Sequence, residues 1–180
     1  MIQTVPDGPT YPTDAIQHML VEAIHMAKHR LILTSPYFVP DEPLRLALRL
    51  AALRGADVHI IIPKRSDRRS ADLAARAFFQ DLLDVGIHIH LHQRGVLHTK
   101  SMSIDGAIAM IGTANFDLRS LYLNCELALF FYSNDIASTL QRIQMRYIEE
   151  SLAVDRTAWG QRPLSRQLTE HTLKLLSPLL

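Results

Sequence analysis

The sequence predicts an α/β sandwich. Stretches with helical spacing of apolar residues alternate three times with short apolar runs between residues 14 and 91. The apolar runs are continuous rather than alternating, which is typical of strands that are covered on both faces. Two later apolar runs are joined by Asp105 and Gly106, a pair that favours a tight hairpin turn. We therefore expect helices on both faces of one central sheet.

Length and composition limit the number of domains and the kinds of partner. With 180 residues, of which 48% are hydrophobic and 21% charged, the chain is long enough for one domain with a substantial core. We expect the proline-rich residues 1–13 to be an extended linker before a single domain at residues 14–180. The net charge of +1 gives no overall attraction to nucleic acid or membranes.

The first half of the domain is expected to hold three helices and three buried strands. Residues 35–40 should form a loop, because two prolines bracket Tyr37 and Phe38. Helices are expected from Thr13 or Asp14 to about residue 30, from Asp41 or Glu42 to Gly55, and over residues 70–84, with strands at 31–34, 58–62 and 87–91.

The second half is expected to begin with a hairpin of strands at 99–104 and 107–111. A long strand at 121–132 should follow. Asn134 should cap a helix that carries Ile136, Leu140, Ile143 and Tyr147 on one face, and Pro163 should start a last helix with Leu164, Leu168 and Leu175.

Two further observations concern the compartment. The single cysteine, Cys125, cannot form an intramolecular disulfide, and its apolar surroundings predict a buried, unreactive thiol. The first residues lack the basic start and apolar core of a signal peptide, and no run of about 18 apolar residues could cross a membrane. We therefore expect no spanning segment in this chain.

The stretch around His98 predicts a site for phosphodiester chemistry. Displacement at a phosphodiester needs a nucleophile, positive charge for the transition state and an acid for the leaving alkoxide. His98 can supply a neutral ring nitrogen, and Lys100, two residues further along an expected strand, can contact the same phosphoryl oxygens. Thr113 and Asn115 could bind those oxygens, and Glu126 on the next strand could orient the histidine.

This spacing resembles the signature of the phospholipase D superfamily. The residues that carry the resemblance are His98, Lys100, Asp105, Gly112, Thr113 and Asn115, with threonine where serine is usual. Glu126 falls where that family places its histidine-orienting acid. The resemblance groups Asp105 with the catalytic residues, although an Asp-Gly turn can also be purely structural.

The chain also resembles the C-terminal half of bacterial cardiolipin synthases, at residues 35–41, 115–120, 124–126 and 162–180. The resemblance implies an α-β-α sandwich with a mixed sheet, forming one half of a pseudo-two-fold pair. It also implies transfer of a phosphatidyl group between two phosphatidylglycerol molecules through a phosphohistidine, without a metal or other cofactor. The implied setting is the bacterial inner (cytoplasmic) membrane, reached peripherally or through segments outside this chain.

The family uses two such motifs, and this sequence contains one. Neither His29 nor His59 is followed two residues later by lysine. The expected partners are therefore an anionic phospholipid, the membrane surface and a second motif, supplied by a longer protein or by a second copy of the chain. Two alternatives remain: a homodimeric phosphodiesterase or nuclease, and a catalytically silent half that pairs with an active partner.

Several other features have a plain structural explanation beside a functional one. The basic loop Lys64, Arg65, Arg68 and Arg69 is either solvated or in contact with an anionic headgroup or nucleic acid, though no aromatic residues alternate with these charges. Tyr37 and Phe38 could line the substrate pocket or pack beneath the loop. His88, His90 and His92 share a strand face without a nearby acidic ligand, so we expect no metal there. The last helix could lie on a bilayer or pack against the domain.

Overall fold

The computed structural model describes residues 1–11 and 13–175, except for the side chains of His171, Lys174 and Leu175. Eight strands form one sheet in the order β1-β9-β7-β6-β2-β4-β5-β10. Their bounds are β1 Ile2–Asp7, β2 Arg30–Thr34, β4 Asp57–Pro63, β5 His88–His92, β6 Ser101–Ile104, β7 Ile108–Gly112, β9 Glu126–Tyr132 and β10 Ser151–Ala153. A separate pair is formed by β3 (Phe38–Val39) and β8 (Phe116–Asp117).

The sheet is mixed, as the family resemblance implies. Strands β2, β4 and β5 run parallel, and the other neighbouring pairs of this sheet are antiparallel. The parallel strands are connected through helices, whereas β6 and β7 form the predicted hairpin. Parallel strands need such crossovers, so the alternation of helix and strand in the sequence is confirmed as an α/β pattern.

Helices cover both faces of the sheet. Helices α1 (Ala15–Met26), α2 (Glu42–Leu53) and α3 (Arg69–Asp84) lie on one face, and α5 (Asn134–Glu149) lies on the other. Alternate strand residues face the two sides, since Leu31 and Leu33 belong to the main core, whereas Ile32 packs with Ile61 and Leu97 toward α5. Helices α4 (Leu118–Tyr122), α6 (Arg156–Gly160) and α7 (Leu164–Leu175) complete the described chain.

The turn of the hairpin between β6 and β7 is attached to the segment between α1 and β2. Asp105 and Gly106 both have positive φ, at 53° and 62°, as the tight turn requires. The Asp105 carboxylate accepts hydrogen bonds from the backbone N–H groups of Lys28, His29 and Arg30, at 2.7–2.9 Å. Asp105 therefore fixes the hairpin to the segment between α1 and β2.

The structure corrects the expectation that residues 1–13 are a linker outside the domain. Ile2–Asp7 is extended, but it is an edge strand of the sheet, antiparallel to β9. Its end also stabilises α1, because Asp7 Oδ2 accepts a hydrogen bond of 2.7 Å from the N–H of Ile16, while Asp14 makes no side-chain cap. The cap predicted at Thr13 or Asp14 is thus supplied from another part of the sequence.

The predicted strand at 121–132 is too long. Residues 118–122 form α4, capped by the Asp117 side chain, and the strand begins only at Glu126. Strand β10 was not predicted, and the expected loop at 35–40 contains the short strand β3. Cys125 is exposed rather than buried, because it lies in the turn before β9.

The predicted inner face of α5 is right only at Leu140 and, in part, at Tyr147, and that of α7 is wrong at Leu164 and Leu168. Helix α5 buries Ala137, Leu140 and Gln144, whereas Ile136 and Ile143 are exposed. Helix α7 packs against α3 and buries Glu170, while Leu164 and Leu168 are exposed. The side chain of Leu175, also predicted for the apolar side of this helix, and residues 176–180 lie outside what the structure describes. No helix in the described ranges is both long and apolar enough to cross a membrane.

Candidate active site

His98 lies in the segment between β5 and β6, just before the hairpin, and its side chain is exposed. The nearest ring is Tyr37, whose centroid is 6.4 Å away at 86° to the imidazole. Tyr37 comes from the Pro36–Pro40 loop after β2, so the parallel half of the sheet and the hairpin both contribute to the site. An exposed imidazole can approach a phosphorus atom without first breaking internal contacts.

Tyr37 is held in place by residues of the loop after β4. Its hydroxyl donates a hydrogen bond to Asp67, and the Arg68 guanidinium lies 5.6 Å from the ring centroid. Burial and the Asp67 carboxylate raise the pKa of Tyr37 to about 12, so the phenol stays protonated as a donor. The hydrogen bond from Tyr37 lowers the pKa of Asp67. Asp67 was not identified from the sequence, where nothing indicates that these two loops meet.

Lys100 is positioned directly before β6. Its Nζ donates a 2.9 Å hydrogen bond to the carbonyl oxygen of His98, which ties the ammonium group to the histidine backbone. Partial burial lowers the pKa of Lys100, and the carboxylates of Glu126 and Asp117 oppose that shift. A cation removed from water in this way interacts more strongly with a phosphoryl oxygen than a fully solvated lysine would.

Glu126 is fixed by the turn that follows the hairpin. The Thr113 hydroxyl donates to Glu126 Oε2, and the Asn124 amide donates to Oε1 at 3.1 Å. The same hydroxyl accepts from the N–H of Leu127 at 2.9 Å, which draws β7 and β9 together. Gly112 permits this approach, because a Cβ there would lie 2.7 Å from the carbonyl oxygen of Leu127.

A second short network surrounds Asn115. Its amide donates to Ser120 Oγ at 3.1 Å, and Ser120 in turn hydrogen-bonds to Asp117. Burial raises the pKa of Asp117 and the charge of Glu126 adds to the rise, although Ser120 opposes it. Asn115 Oδ1 is buried and has no hydrogen-bond partner among the described residues. Leaving a buried acceptor without a donor costs free energy.

Comparison with known proteins identifies the family. The profile described as "Cardiolipin synthase, PLD-like domain" matches residues 20–147. Cardiolipin synthase A of Yersinia pseudotuberculosis and that of Yersinia pestis are each 40% identical to this chain over 179 residues, which cover 99% of the chain and 37% of the relative. This chain belongs to the cardiolipin synthase family of phospholipase D-like domains. It spans little more than a third of the length of these relatives.

Solved structures support the fold of this cardiolipin synthase-type domain. Nuc of Salmonella typhimurium, a phospholipase D family member, has a TM-score of 0.73 at 20% identity, over 86% of this chain and 97% of that one. Phosphatidylserine synthase of Haemophilus influenzae has a TM-score of 0.77 at 14% identity, over 99% of this chain and 48% of that one. The predicted phospholipase D-like α-β-α fold is therefore confirmed.

The structure groups most, but not all, of the predicted site residues. Lys100 contacts the backbone of His98, and Thr113, Asn115 and Glu126 form the networks beside them. Thr113 holds Glu126 in this structure, so its hydroxyl is already engaged and not free to bind a phosphoryl oxygen. No hydrogen bond joins Glu126 to the His98 imidazole within the described part of the chain.

Asp105 and Phe38 lie apart from this cluster. Asp105 occupies the far end of β6 from Lys100, where it binds three backbone N–H groups. Phe38 is 1% exposed and packs in the main core, whereas Tyr37 lies beside His98. Of the two aromatic residues named from the sequence, only Tyr37 could touch a substrate.

His90 on β5 forms a hydrogen-bonded group with His59 and Asp57 on β4. His59 Nε2 lies 2.9 Å from Asp57 Oδ1, and His59 Nδ1 lies 2.9 Å from His90 Nε2. With neutral rings, His59 donates to Asp57 and His90 donates to His59. An acidic residue is therefore close by, contrary to the sequence reading, but no group of side chains suited to a metal ion occurs in the described ranges.

Proposed function

We propose that this domain takes part in phosphatidyl transfer between two phosphatidylglycerol molecules, which yields cardiolipin and glycerol. The observation that carries the proposal is the exposed His98 with Lys100 at its side, in a domain 40% identical to cardiolipin synthase A. The domain would act as the C-terminal half of a two-motif enzyme. The setting would be the bacterial inner membrane, reached peripherally or through segments outside this chain.

In the first step, a ring nitrogen of His98 attacks the phosphorus of one phosphatidylglycerol. The bond from phosphorus to the glycerol headgroup breaks, and glycerol leaves with a proton from an acid. Lys100 would neutralise the phosphoryl oxygens, and Glu126 would orient the imidazole or balance its charge. In the second step, the glycerol hydroxyl of another phosphatidylglycerol attacks the phosphohistidine, loses its proton to a base, and displaces the histidine nitrogen.

The acid and base of these steps would come from a second His-x-Lys motif. The chain contains one motif, so the other would belong to another part of a longer protein or to a second copy of this chain. If the other half supplies the nucleophile, His98 takes the role of acid and base. Either assignment keeps His98, Lys100 and Glu126 at the reacting phosphorus.

The test is to incubate the protein with phosphatidylglycerol and to look for cardiolipin and glycerol. His98→Asn should abolish the product, and labelled substrate should leave an acid-labile, base-stable label on His98 of the active protein. His18→Asn is the matched control, because His18 is exposed on α1 away from the site. Lipid turnover that survives in His98→Asn would contradict the assignment.

A homodimeric phosphodiesterase or nuclease is the second candidate. It is favoured by the match with Nuc, because the matched region covers 97% of the Nuc chain, so that a chain of about this size forms the whole of that protein chain. In that case water rather than a lipid hydroxyl would accept the phosphoryl group. DNA cleavage that His98→Asn abolishes, with no lipid product from the same preparation, would support this second candidate over the first.

A further inference from the structure

The basic loop after β4 borders two clefts that share Arg65 and Ser66, and the first of them also reaches His98. A cleft of about 230 Å³ is lined by His98 on one side and by Arg65 and Ser66 on the other. A second cleft, of about 500 Å³, begins at the same Arg65 and Ser66 and continues along the first turns of α3. We refer to the second one, lined by Arg65, Ser66, Arg69, Asp72, Leu73 and Arg76, as the arginine cleft.

The arginine cleft carries positive charge that the protein does not neutralise. Arg65, Arg69 and Arg76 form no ion pair with any described carboxylate, whereas Arg30, Arg45 and Arg156 each do. The one acidic residue in the lining, Asp72, accepts a 3.0 Å hydrogen bond from the N–H of Ser66. In a chain with a net charge of only +1, three unpaired guanidinium groups in one cleft are a local concentration of charge.

In the proposed transfer, Lys100 supplies positive charge to the phosphoryl group that reacts at His98. Its Nζ donates to the His98 carbonyl oxygen, whereas the Arg68 guanidinium lies against the Tyr37 ring. A transfer between two phosphatidylglycerol molecules brings a second phosphate close to the first, because the acceptor hydroxyl and the acceptor's own phosphate belong to the same glycerol. That second phosphate stays ionised throughout the reaction and needs a counter-charge.

We propose that the arginine cleft binds the phosphate of the acceptor phospholipid, and that Arg69 and Arg76 determine the preference for an anionic acceptor. This inference rests on the proposed phosphatidyl transfer. Arginine suits the role, because its planar group can donate two parallel hydrogen bonds to one phosphate. The shared lining at Arg65 and Ser66 places the acceptor headgroup on a continuous path to His98.

Nucleic acid fits the same surface less well. Binding of single strands uses exposed aromatic faces on which bases stack, and the Tyr37 ring near His98 is approached by Arg68 and hydrogen-bonded to Asp67. The lining of the arginine cleft itself contains no aromatic residue. A headgroup phosphate can bind through the positive charges of the arginine cleft alone, without a stacking surface.

The test compares two acceptors for the same phosphatidyl donor: phosphatidylglycerol, which carries a phosphate, and ethanol, which is neutral. In Arg69→Gln and in Arg76→Gln, the ratio of transfer to phosphatidylglycerol over transfer to ethanol should fall about tenfold, the loss of roughly one charge-assisted hydrogen bond. Arg142→Gln is the matched control, because Arg142 is exposed on α5, which covers the opposite face of the sheet. An unchanged ratio in both cleft variants would overturn the proposal.

A binding measurement separates this proposal from the proposed function. Calorimetric titration with dihexanoyl-phosphatidylglycerol should show weaker binding in Arg69→Gln/Arg76→Gln and retained binding in His98→Ala. Failure of the wild-type protein to make any lipid product, with this binding pattern intact, would count against phosphatidyl transfer but not against the cleft. Equal competition by inorganic phosphate, or loss of oligonucleotide binding alone in the double variant, would overturn the assignment to a lipid headgroup.

Discussion

At the scale of residues, Asp105 shows how one signature position can serve the fold. Its carboxylate joins the hairpin turn to three consecutive N–H groups more than 70 positions earlier in the chain. Burial raises the pKa of Asp105, but the backbone hydrogen bonds from Arg30, Lys28 and His29 lower it by more, so the net shift is downward. The ionised carboxylate is therefore the form that stabilises the native state.

Asp105→Asn is expected to lower the free energy of unfolding by about 1 to 3 kcal/mol, because charge-assisted hydrogen bonds are replaced by weaker ones. Asparagine tolerates the positive φ at this position, so the substitution removes the negative charge without straining the backbone. The difference should be present near pH 7 and shrink as the pH falls through the folded-state pKa of Asp105. Urea unfolding measures it, with Asp14→Asn as the exposed control.

The histidine group on β4 and β5 predicts acid sensitivity. Burial, together with the neighbouring His59 and His88, lowers the pKa of His90 from 6.5 to about 4, while Asp57 opposes the shift. Between these values the unfolded chain takes up a proton and the folded chain does not, so acid favours unfolding. His90 thus contributes full stability above pH 6.5, and the contribution is lost as the pH falls toward 4.

We expect the free energy of unfolding to fall by up to about 3 kcal/mol from this group between pH 7 and pH 4. His90→Gln should flatten that part of the pH profile. The measurement is urea unfolding at several pH values, with His18→Gln, on the exposed side of α1, as the control. An equal slope in the His90 variant and the wild type would contradict the prediction.

At the scale of elements, α5 is fixed to the sheet by a buried amide as well as by apolar contacts. Gln144 is fully buried, and its Nε2 donates to the carbonyl of Ile32 and to the hydroxyls of Thr34 and Ser101 at 3.2–3.3 Å. Its Oε1 accepts from Ser103. One side chain therefore satisfies groups on β2 and β6 and sets the position of the helix.

Gln144→Leu should lower the free energy of unfolding by about 2 to 4 kcal/mol, because the buried polar partners lose their hydrogen bonds. Gln141→Leu, one turn earlier on α5, is the control, since Gln141 is only partly buried. Denaturant unfolding of the two variants measures the difference. Similar losses in both would show that the network contributes little.

Elements with local signals were predictable from the sequence, and elements fixed by distant contacts were not. Helix α2 begins where Asp41 caps it, with an Asp41 Oδ1 to Leu44 N–H hydrogen bond of 2.9 Å, and the hairpin turns at Asp105 and Gly106. Strand β1 contains Pro6 and exists because β9 lies beside it. The buried face of α5 was predicted only in part, because Leu140 is buried as expected but the polar Gln144 at its centre gave no apolar signal.

At the scale of the whole molecule, the candidate site combines three separate stretches of sequence. The motif spacing indicated His98, Lys100, Thr113 and Asn115, the need for a carboxylate to orient the histidine indicated Glu126, and the resemblance agreed with Glu126. The sequence could not show that Tyr37 meets Asp67, because these loops follow different strands and are brought together only by the parallel pairing of β2 and β4. A contact between two loops that are far apart in the sequence, such as that of Tyr37 with Asp67, produces no pattern of apolar spacing from which it could be predicted.

Strand β1 makes the stability of the whole sheet depend on the first residues. Deletion of residues 1–7 should lower the melting temperature and promote self-association, because the edge of β9 is uncovered and α1 loses its bond from Asp7. Asp7→Ala alone should cost about 1 kcal/mol, the usual value of a cap. Thermal unfolding and size-exclusion chromatography measure the two effects, and an unchanged, monodisperse deletion variant would contradict them.

The pairing of β1 with β9 also has a consequence for synthesis on the ribosome. Asp7 pairs opposite Glu126, so at about 5 to 20 residues per second the early strand waits on the order of 6 to 25 s for its partner to be translated. During this interval its backbone groups could pair with other nascent chains. Pro6, which lacks an N–H group, and the charge of Asp7 oppose such mispairing, and the early strand thus carries its own protection against aggregation.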